Sequence, residues 1–188
     1  MPIFKSGDRR QCANSRLISI LPAVSKVLEK EVFRQVYGYL TENCMLLKFQ
    51  TGFLPKHSTV TALIQMCDEW LENKSNGKLN GVIFLDVKRA FDSINHFILL
   101  NKTKKCFGIS SIELKWFESY LSNREQLCSN NEQLSSKKTS TCCVPQGSIL
   151  GPQLFLLYIT DLPECLRSTT PCMYADDTQI FSSSYDAN

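Results

Sequence analysis

Apolar residues recur at helical spacing in the segment that follows Pro22. Every third or fourth position is apolar, which predicts an amphipathic helix. The apolar positions are Val24, Val27, Leu28, Val32, Val36 and Leu40. The polar positions on the opposite side are Lys26, Glu29, Lys30 and Arg34. We therefore expect the apolar side of this helix to pack and Glu29 to lie on its polar side.

A second helix is predicted to begin near Ser58 or Thr59, since either side chain can cap it, and to end at Asn76-Gly77. Its expected apolar face consists of Leu63, Ile64, Cys67, Trp70 and Leu71. Shorter helices are predicted from about Ser93 and from Ser110 or Ser111.

The run Gly81-Val82-Ile83-Phe84-Leu85 is short, apolar and rich in β-forming residues. It predicts a buried central strand that ends at Asp86.

The last third of the chain contains segments with strand-like alternation and one segment with a helical pattern. Residues 124–144 alternate around Asn130-Asn131, which predicts a hairpin, and 154–162 read as a helix behind Pro152. Two short strands, 172–174 and 179–181, are expected around the turn 175–178. This order of elements predicts an α+β fold with helices on one face of a small antiparallel sheet.

Composition narrows the class of protein. The 188 residues suffice for about one domain, or one with a smaller subdomain. With 21 Lys+Arg against 18 Asp+Glu, the net charge of +3 makes any nucleic-acid contact a local one. No apolar run is long enough for a membrane span or a signal peptide, so we expect a soluble intracellular protein, in nucleus or cytoplasm.

Nine cysteines are many, but the number is odd and no pair has Cys-x-x-Cys spacing. We therefore expect reduced thiols. With only His57 and His96 as imidazole ligands, a zinc site is disfavoured.

Three carboxylates stand in unusual places. Asp86 ends an apolar strand, and Asp176 and Asp177 are adjacent in a tight turn. Taken singly, a turn aspartate bonds to nearby amides and Asp86 could cap the following helix. If the strand lies beside the turn, however, the three converge, and their repulsion favours a cation there. Oxygen ligands without histidine or cysteine suit Mg²⁺ or Mn²⁺.

Three ordered segments resemble the palm motifs of reverse transcriptases, most of all those of non-LTR retrotransposons. They are FLDVKRAFD at 84–92, VPQGSILGP at 144–152 and YADD at 174–177. Three upstream segments are similar to the fingers of that group: FKSGD at 4–8, NSRLISILPAVSKVLEK at 14–30 and QTGFLPKHST at 50–59.

The resemblance implies a right-hand polymerase palm with partial fingers and no thumb. Residues 1–80 would form the fingers and the fingers–palm helices, and 81–188 a palm that is incomplete at its C-terminus. The implied activity is RNA-directed DNA synthesis with Mg²⁺ or Mn²⁺, an RNA or DNA template-primer and dNTPs. Neither a membrane nor a protein partner is expected.

The resemblance also implies roles for individual residues. Asp86 and Asp176 would be the principal metal ligands, with Asp177 as a supporting carboxylate, and carboxylate oxygens of Asp86 and Asp176 should lie within about 8 Å of each other. The other positions implied to contact substrate are Lys5, Arg16, Val87, Lys88, Arg89, Phe91, Gln146 and Gly147. Phe91 would exclude a ribose 2′-hydroxyl; its plain alternative is core packing. For Lys88 and Arg89 the alternative is a solvated basic edge.

Two other functions stay open. One is a truncated relic that folds or binds nucleic acid without catalysis. The other is an RNA-templated RNA polymerase, against which Phe91 and Tyr-Ala-Asp-Asp, in place of Gly-Asp-Asp, both argue.

Overall fold

The computed structural model describes residues 1–11, 14–130, 133–167 and 169–185. The chain divides into two compact units, and each unit combines two separate stretches of sequence. The first unit is Met1–Asn43 with Phe91–Tyr158, and the second is Cys44–Ala90 with Ile159–Asn188. The functional division into 1–80 and 81–188 stays a prediction.

The α-helices in the described residues are α1 (Ala23–Glu42), α2 (Thr59–Ser75), α3 (His96–Phe107), α4 (Ser111–Leu121) and α5 (Leu150–Tyr158). The strands are β1 (Pro2–Phe4), β2 (Ser15–Leu17), β3 (Leu79–Asp86), β4 (Arg124–Gln126), β5 (Ser129–Asn130), β6 (Gln133–Leu134), β7 (Lys138–Ser140), β8 (Thr170–Tyr174) and β9 (Asp177–Ser184). Two 3₁₀ turns cover Ala90–Ser93 and Leu162–Cys165. This confirms the predicted α+β class. In the part of the chain that is described, no helix combines the length and the apolar character that crossing a membrane requires.

In the first unit, α5 packs against both α1 and α3, and α3 packs against α4. The core they enclose includes Leu40, Leu99, Phe117, Leu150, Leu154 and Phe155. Helix α5 begins four residues before the predicted 154, because the Ser148 hydroxyl accepts the Gly151 N–H and so caps the helix ahead of Pro152.

The predicted orientation of α1 is wrong in its N-terminal half. Val24 is 81% exposed and Val27 and Leu28 are exposed as well, whereas Glu29 is 1% exposed. Periodicity identified the helix correctly, but Glu29 has hydrogen-bond partners inside the unit that a pattern cannot reveal.

The expected face of α2 is likewise only partly buried. Leu63, Ile64 and Leu71 are exposed, while the small Ala62 and the flexible Met66 are buried. The helix starts at the predicted place, where Ser58 and Thr61 form a reciprocal capping box. In the same unit, the Trp70 ring meets Phe181 of β9 edge-on, with 6.3 Å between centroids.

The sheet of the second unit is antiparallel and has the order β3-β9-β8. The prediction that β3 is a buried central strand is wrong, because among the described residues it pairs only with β9. Phe84 is 68% exposed, and Ile83 and Leu85 are exposed too. An apolar run signals a strand; its place in the sheet depends on which partners it finds.

Three two-stranded ribbons belong to the first unit: β1 with β2, β4 with β7, and β5 with β6, all antiparallel. The last two confirm the hairpin predicted in 124–144, although Asn131 lies outside the described residues. The eight cysteines that the structure describes are free thiols.

Candidate active site

Two of the three predicted carboxylates face each other across the sheet. In the β3–β9 register Asp86 is the direct partner of Asp177, the first residue of β9. Directly opposite residues of an antiparallel pair share one face, with Cα atoms about 4.5–5.5 Å apart. Both residues are exposed. Like charges so placed destabilise a sheet, so this pair is favoured only where a cation offsets the repulsion.

The third carboxylate belongs to the two-residue turn Ala175–Asp176, which joins β8 to β9. Ala175 has a φ of 58° and is buried, whereas Asp176 is half-buried and immediately precedes Asp177. A φ in this range is strained for alanine and persists only where the surroundings hold the backbone there.

The donor set fits a hard divalent cation, because it offers carboxylate oxygens at the end of one sheet. Among the described residues no group of three or more histidine, cysteine, aspartate or glutamate side chains is placed to hold a metal by itself. Mg²⁺ rarely takes all its ligands from the protein, because it is usually bound by one or two carboxylates together with substrate phosphates. The distance between the oxygens of Asp86 and Asp176 stays a prediction.

A short segment runs alongside β8 on the side away from β9 and supports the turn. Met173 donates its N–H to the Phe49 carbonyl at 2.9 Å, and its own carbonyl accepts the Thr51 N–H at 2.9 Å. Between them, Gln50 bonds to Ala175 through its side chain. Sequence reasoning missed Gln50 as a functional candidate; the one available signal was its place before Gly52 in the segment that resembles the fingers.

The three residues after Asp86 form an exposed turn. Arg89 has a φ of 55°, in the left-handed region, and Val87, Lys88 and Arg89 are all exposed. Successive N–H groups in a turn that enters the left-handed region can make a concave anion site, as the resemblance implies for the triphosphate.

The Gln146-Gly147 pair of the second motif is hydrogen-bonded to the N-terminal segment through Ser19. The Gln146 carbonyl accepts the Ser19 N–H at 2.8 Å, and Gly147 has a φ of 108°. A Cβ on Gly147 would lie 3.1 Å from the Ser19 carbonyl oxygen, so a side chain here would be strained by φ and crowded against that oxygen.

A buried carboxylate holds the other end of this loop. Glu29 accepts the Ile149 N–H at 2.7 Å and the Tyr120 hydroxyl at 3.0 Å. Ile149 stands at the start of α5, where the helix dipole favours a negative charge. Burial, and next the nearby Glu29, raise the pKa of Tyr120 to about 12, although Arg124 acts in the opposite direction. Sequence reasoning placed Glu29 on a solvent face and so missed it.

Phe91 lies in the 3₁₀ turn Ala90–Ser93 and its ring packs on Phe155 of α5, with 5.5 Å between centroids. The ring is half-buried, so it combines a core contact with an accessible part. Its predicted place beside the carboxylates stays a prediction, because Phe91 and Asp86 belong to different units.

Lys5 and Arg16 are brought to one ribbon in the first unit. Arg16 is the direct partner of Ile3, and Lys5 follows β1 with its N–H bonded to the Asn14 carbonyl at 2.9 Å. Since Lys5 is two residues beyond Ile3, it shares the face of Ile3 and Arg16. Both cations are exposed.

Comparison with known proteins gives one consistent result. Residues 3–187 match the family described as "Reverse transcriptase (RNA-dependent DNA polymerase)". The chain is 30% identical over 195 residues to a probable RNA-directed DNA polymerase from transposon BS of Drosophila melanogaster, covering 99% of this chain and 21% of that protein. It is also 30% identical over 190 residues to the polymerase of the mobile element jockey from the same species, covering 97% of this chain and 20% of that one.

Among solved structures, apo telomerase from Candida tropicalis, truncated from its C-terminal domain, superposes with a TM-score of 0.54. The sequence identity is 18%, and the match covers 87% of this chain and 35% of that one, so it bears on the fold alone. The chain spans about a fifth of the length of the transposon polymerases.

Proposed function

Because the chain belongs to the reverse transcriptase family, we propose that it forms the catalytic palm, with part of the fingers, of an RNA-directed DNA polymerase from a non-LTR mobile element. The observation that carries the proposal is the direct cross-strand pairing of Asp86 with Asp177, next to the turn that holds Asp176. Its substrates are dNTPs and an RNA or DNA template-primer, and its cofactor is Mg²⁺ or Mn²⁺.

Asp86 and Asp176 would hold two metal ions, with Asp177 in support. Metals held by these carboxylates would lower the pKa of the primer 3′-hydroxyl, neutralise charge on the transferring phosphoryl group and stabilise the pyrophosphate that leaves. No covalent nucleophile on the protein is needed. The carboxylates fix the position of the reacting groups relative to the sheet, which is the main contribution of a protein to this reaction.

The remaining residues would bind and select substrate. In the second unit, the exposed turn Val87–Arg89 would present N–H groups and two cations to the triphosphate. In the first unit, the ribbon that carries Lys5 and Arg16 would supply the basic side chains that the family resemblance implies. Gln146 and Gly147 would border the nucleotide and template, where Gly147 allows close approach of the backbone. Phe91 would exclude a ribose, and its contact with Phe155 would hold the ring in place.

The test is primer extension by a chimera in which this chain replaces the matching segment of the jockey polymerase. Asp86→Asn should lower the rate of dNTP incorporation by about a thousandfold, because the metals supply several kcal/mol of transition-state stabilisation. Asp68→Asn, at an exposed position of α2 in the same unit, is the matched control and should leave the rate unchanged.

Comparable rates for Asp86→Asn and the unmutated chimera would overturn the proposal. If the unmutated chimera binds template-primer as tightly as the jockey polymerase but adds no nucleotide, the catalytically inactive relic is the correct description. Incorporation of rNTPs in preference to dNTPs would instead identify an RNA polymerase.

A further inference from the structure

The backbone of the Tyr-Ala-Asp-Asp turn is held by one buried side chain. Gln50 is 2% exposed, and its amide bonds to both polar backbone groups of Ala175. The Gln50 Nε2 donates to the Ala175 carbonyl at 3.1 Å, and the Gln50 Oε1 accepts the Ala175 N–H at 2.9 Å. The same Oε1 accepts the Gly52 N–H at 2.8 Å.

We infer that Gln50 is a positioning residue that locks the Ala175–Asp176 turn and thereby sets the direction of the metal-binding carboxylates that follow it. The inference rests on the proposed function for its consequence in catalysis. We call the hydrogen bonds from the Gln50 amide to Ala175 and Gly52 the clamp. All of its residues lie in the second unit.

The turn needs an external support because of its geometry. The φ of 58° at Ala175 is one that glycine adopts freely and alanine adopts only under strain. The N–H and the C=O of Ala175 both bond to the side chain of Gln50, which lies outside the turn. An amide side chain is the group that can do this, because it carries a donor and an acceptor side by side.

Gly52 lets the clamp reach the turn. A Cβ on Gly52 would lie 2.0 Å from the Ala175 nitrogen and 2.8 Å from its Cα, so any side chain here would displace the turn or the segment. Thr51 adds a second attachment two residues before Ala175 in the hairpin, since its Oγ1 donates to the Met173 carbonyl at 3.1 Å. Gln50 is the residue whose side chain reaches the strained position itself.

Hydrogen exchange of the intact 188-residue chain tests the clamp without any need for catalysis. Gln50→Leu keeps the approximate volume and removes both bonding atoms. We expect the Ala175 and Gly52 amides to exchange about tenfold to a hundredfold faster, with the middle of β9 at Ile180 unchanged, because the loss is local. Thr51→Val is the matched control: it removes the Thr51 Oγ1 bond to Met173, keeps the backbone bond between the same residues, and should leave Ala175 exchange within about threefold of the unmutated chain.

Unchanged exchange at Ala175 in a folded Gln50→Leu chain would overturn the inference. If that variant does not fold, the unmutated chain still decides, through the exchange of its side-chain amides. The Nε2 protons of Gln50 should be strongly protected relative to those of exposed Gln126, and equal rates would refute the clamp.

The catalytic consequence is measured in the jockey chimera. Gln50→Leu should lower kcat for dNTP addition by about tenfold or more and raise the Mg²⁺ concentration at half-maximal rate, while the KM for template-primer stays the same. Equal losses in kcat and in template-primer binding would indicate a structural role alone. A protected Ala175 amide in a chain whose unmutated chimera adds no nucleotide would leave the clamp standing and remove the polymerase proposal.

Discussion

Two glutamines are buried to the same degree in the two units and have opposite surroundings. Gln50 is 2% exposed and uses its amide on the backbone of Gly52 and Ala175. Gln153, on α5, is 3% exposed, and neither its Nε2 nor its Oε1 has a hydrogen-bond partner among the described residues. Burial of a polar side chain therefore does not by itself identify a positioning residue; its partners do.

Removing the side-chain amide should therefore change the stability of the folded chain in opposite directions at Gln50 and Gln153. Deleting a satisfied amide leaves backbone groups unpaired, and deleting an unsatisfied one removes a desolvation penalty. Glu29 is a third case, since it is satisfied like Gln50 but charged, and it holds the start of α5 rather than the Ala175–Asp176 turn.

The largest expected effect concerns the support of the turn. Gly52→Ala should lower the free energy of unfolding by about 3 kcal/mol or more, because the new Cβ would meet backbone atoms of Ala175 and Tyr174 that cannot move independently. Urea denaturation measures the change. Gly38→Ala is the control: Gly38 is in α1 with nothing within 4 Å of an added Cβ, and should gain about 0.5–1 kcal/mol from helix propensity.

A loss of less than 1 kcal/mol for Gly52→Ala would mean that the segment yields easily. It would then be too soft to hold Ala175 in a strained conformation.

The next prediction concerns the buried carboxylate of Glu29 and its hydrogen bond from Tyr120. Tyr120→Phe removes one of the two hydrogen bonds to the buried Glu29 and should lower the free energy of unfolding by about 2 kcal/mol at neutral pH. Combined with Glu29→Gln, the same change should have a smaller effect, because an uncharged amide tolerates the missing hydroxyl better. Simple additivity of the two substitutions in urea denaturation would contradict a charge-assisted bond.

Alkaline pH gives an independent measure of the same contact. The pKa of Tyr120 in the folded chain is about 12, above the ordinary 10, so the folded state holds the proton more tightly. The resulting stabilisation is complete below pH 10 and is lost as the pH rises through 12. The unmutated chain should lose up to about 2 kcal/mol relative to Tyr120→Phe over this interval. Parallel stability curves for the two chains would show that Tyr120 titrates normally.

Sequence patterns predicted where the helices and strands lie far better than which other elements each of them contacts. The start of α2 at Ser58-Thr59 and the position of the β8–β9 hairpin were correct, because capping and turn signals are local. The predicted turn 175–178 was too long, since Asp177 and Thr178 pair with β8 and belong to β9. The buried side of α1 and the place of β3 were wrong, because both depend on partners distant in sequence. Periodicity locates a stripe of apolar residues and does not say which elements cover it.

The candidate site shows the same division. The order of Asp86, Asp176 and Asp177 in recognisable motifs made them candidates, and the β3–β9 register then made Asp86 and Asp177 direct neighbours. Gln50 could not be found this way, since its contact with Ala175 spans 125 positions and a single buried glutamine has no periodicity. Glu29 lies 120 positions from Ile149 and was hidden by an amphipathic pattern that assigned it to the solvent.

The smallest expected effect has the opposite sign and completes the comparison of the two glutamines. Gln153→Leu should raise the free energy of unfolding by about 1 kcal/mol, because leucine fills a similar volume without burying an amide that lacks partners. Gln50→Leu, the same substitution at the same burial, should lower it. Both are measured by urea denaturation at neutral pH, and the sign of each change carries the result. A loss of stability at both positions would show that Gln153 has hydrogen-bond partners in solution. Burial would then identify positioning glutamines better than the hydrogen-bond partners seen in the structure.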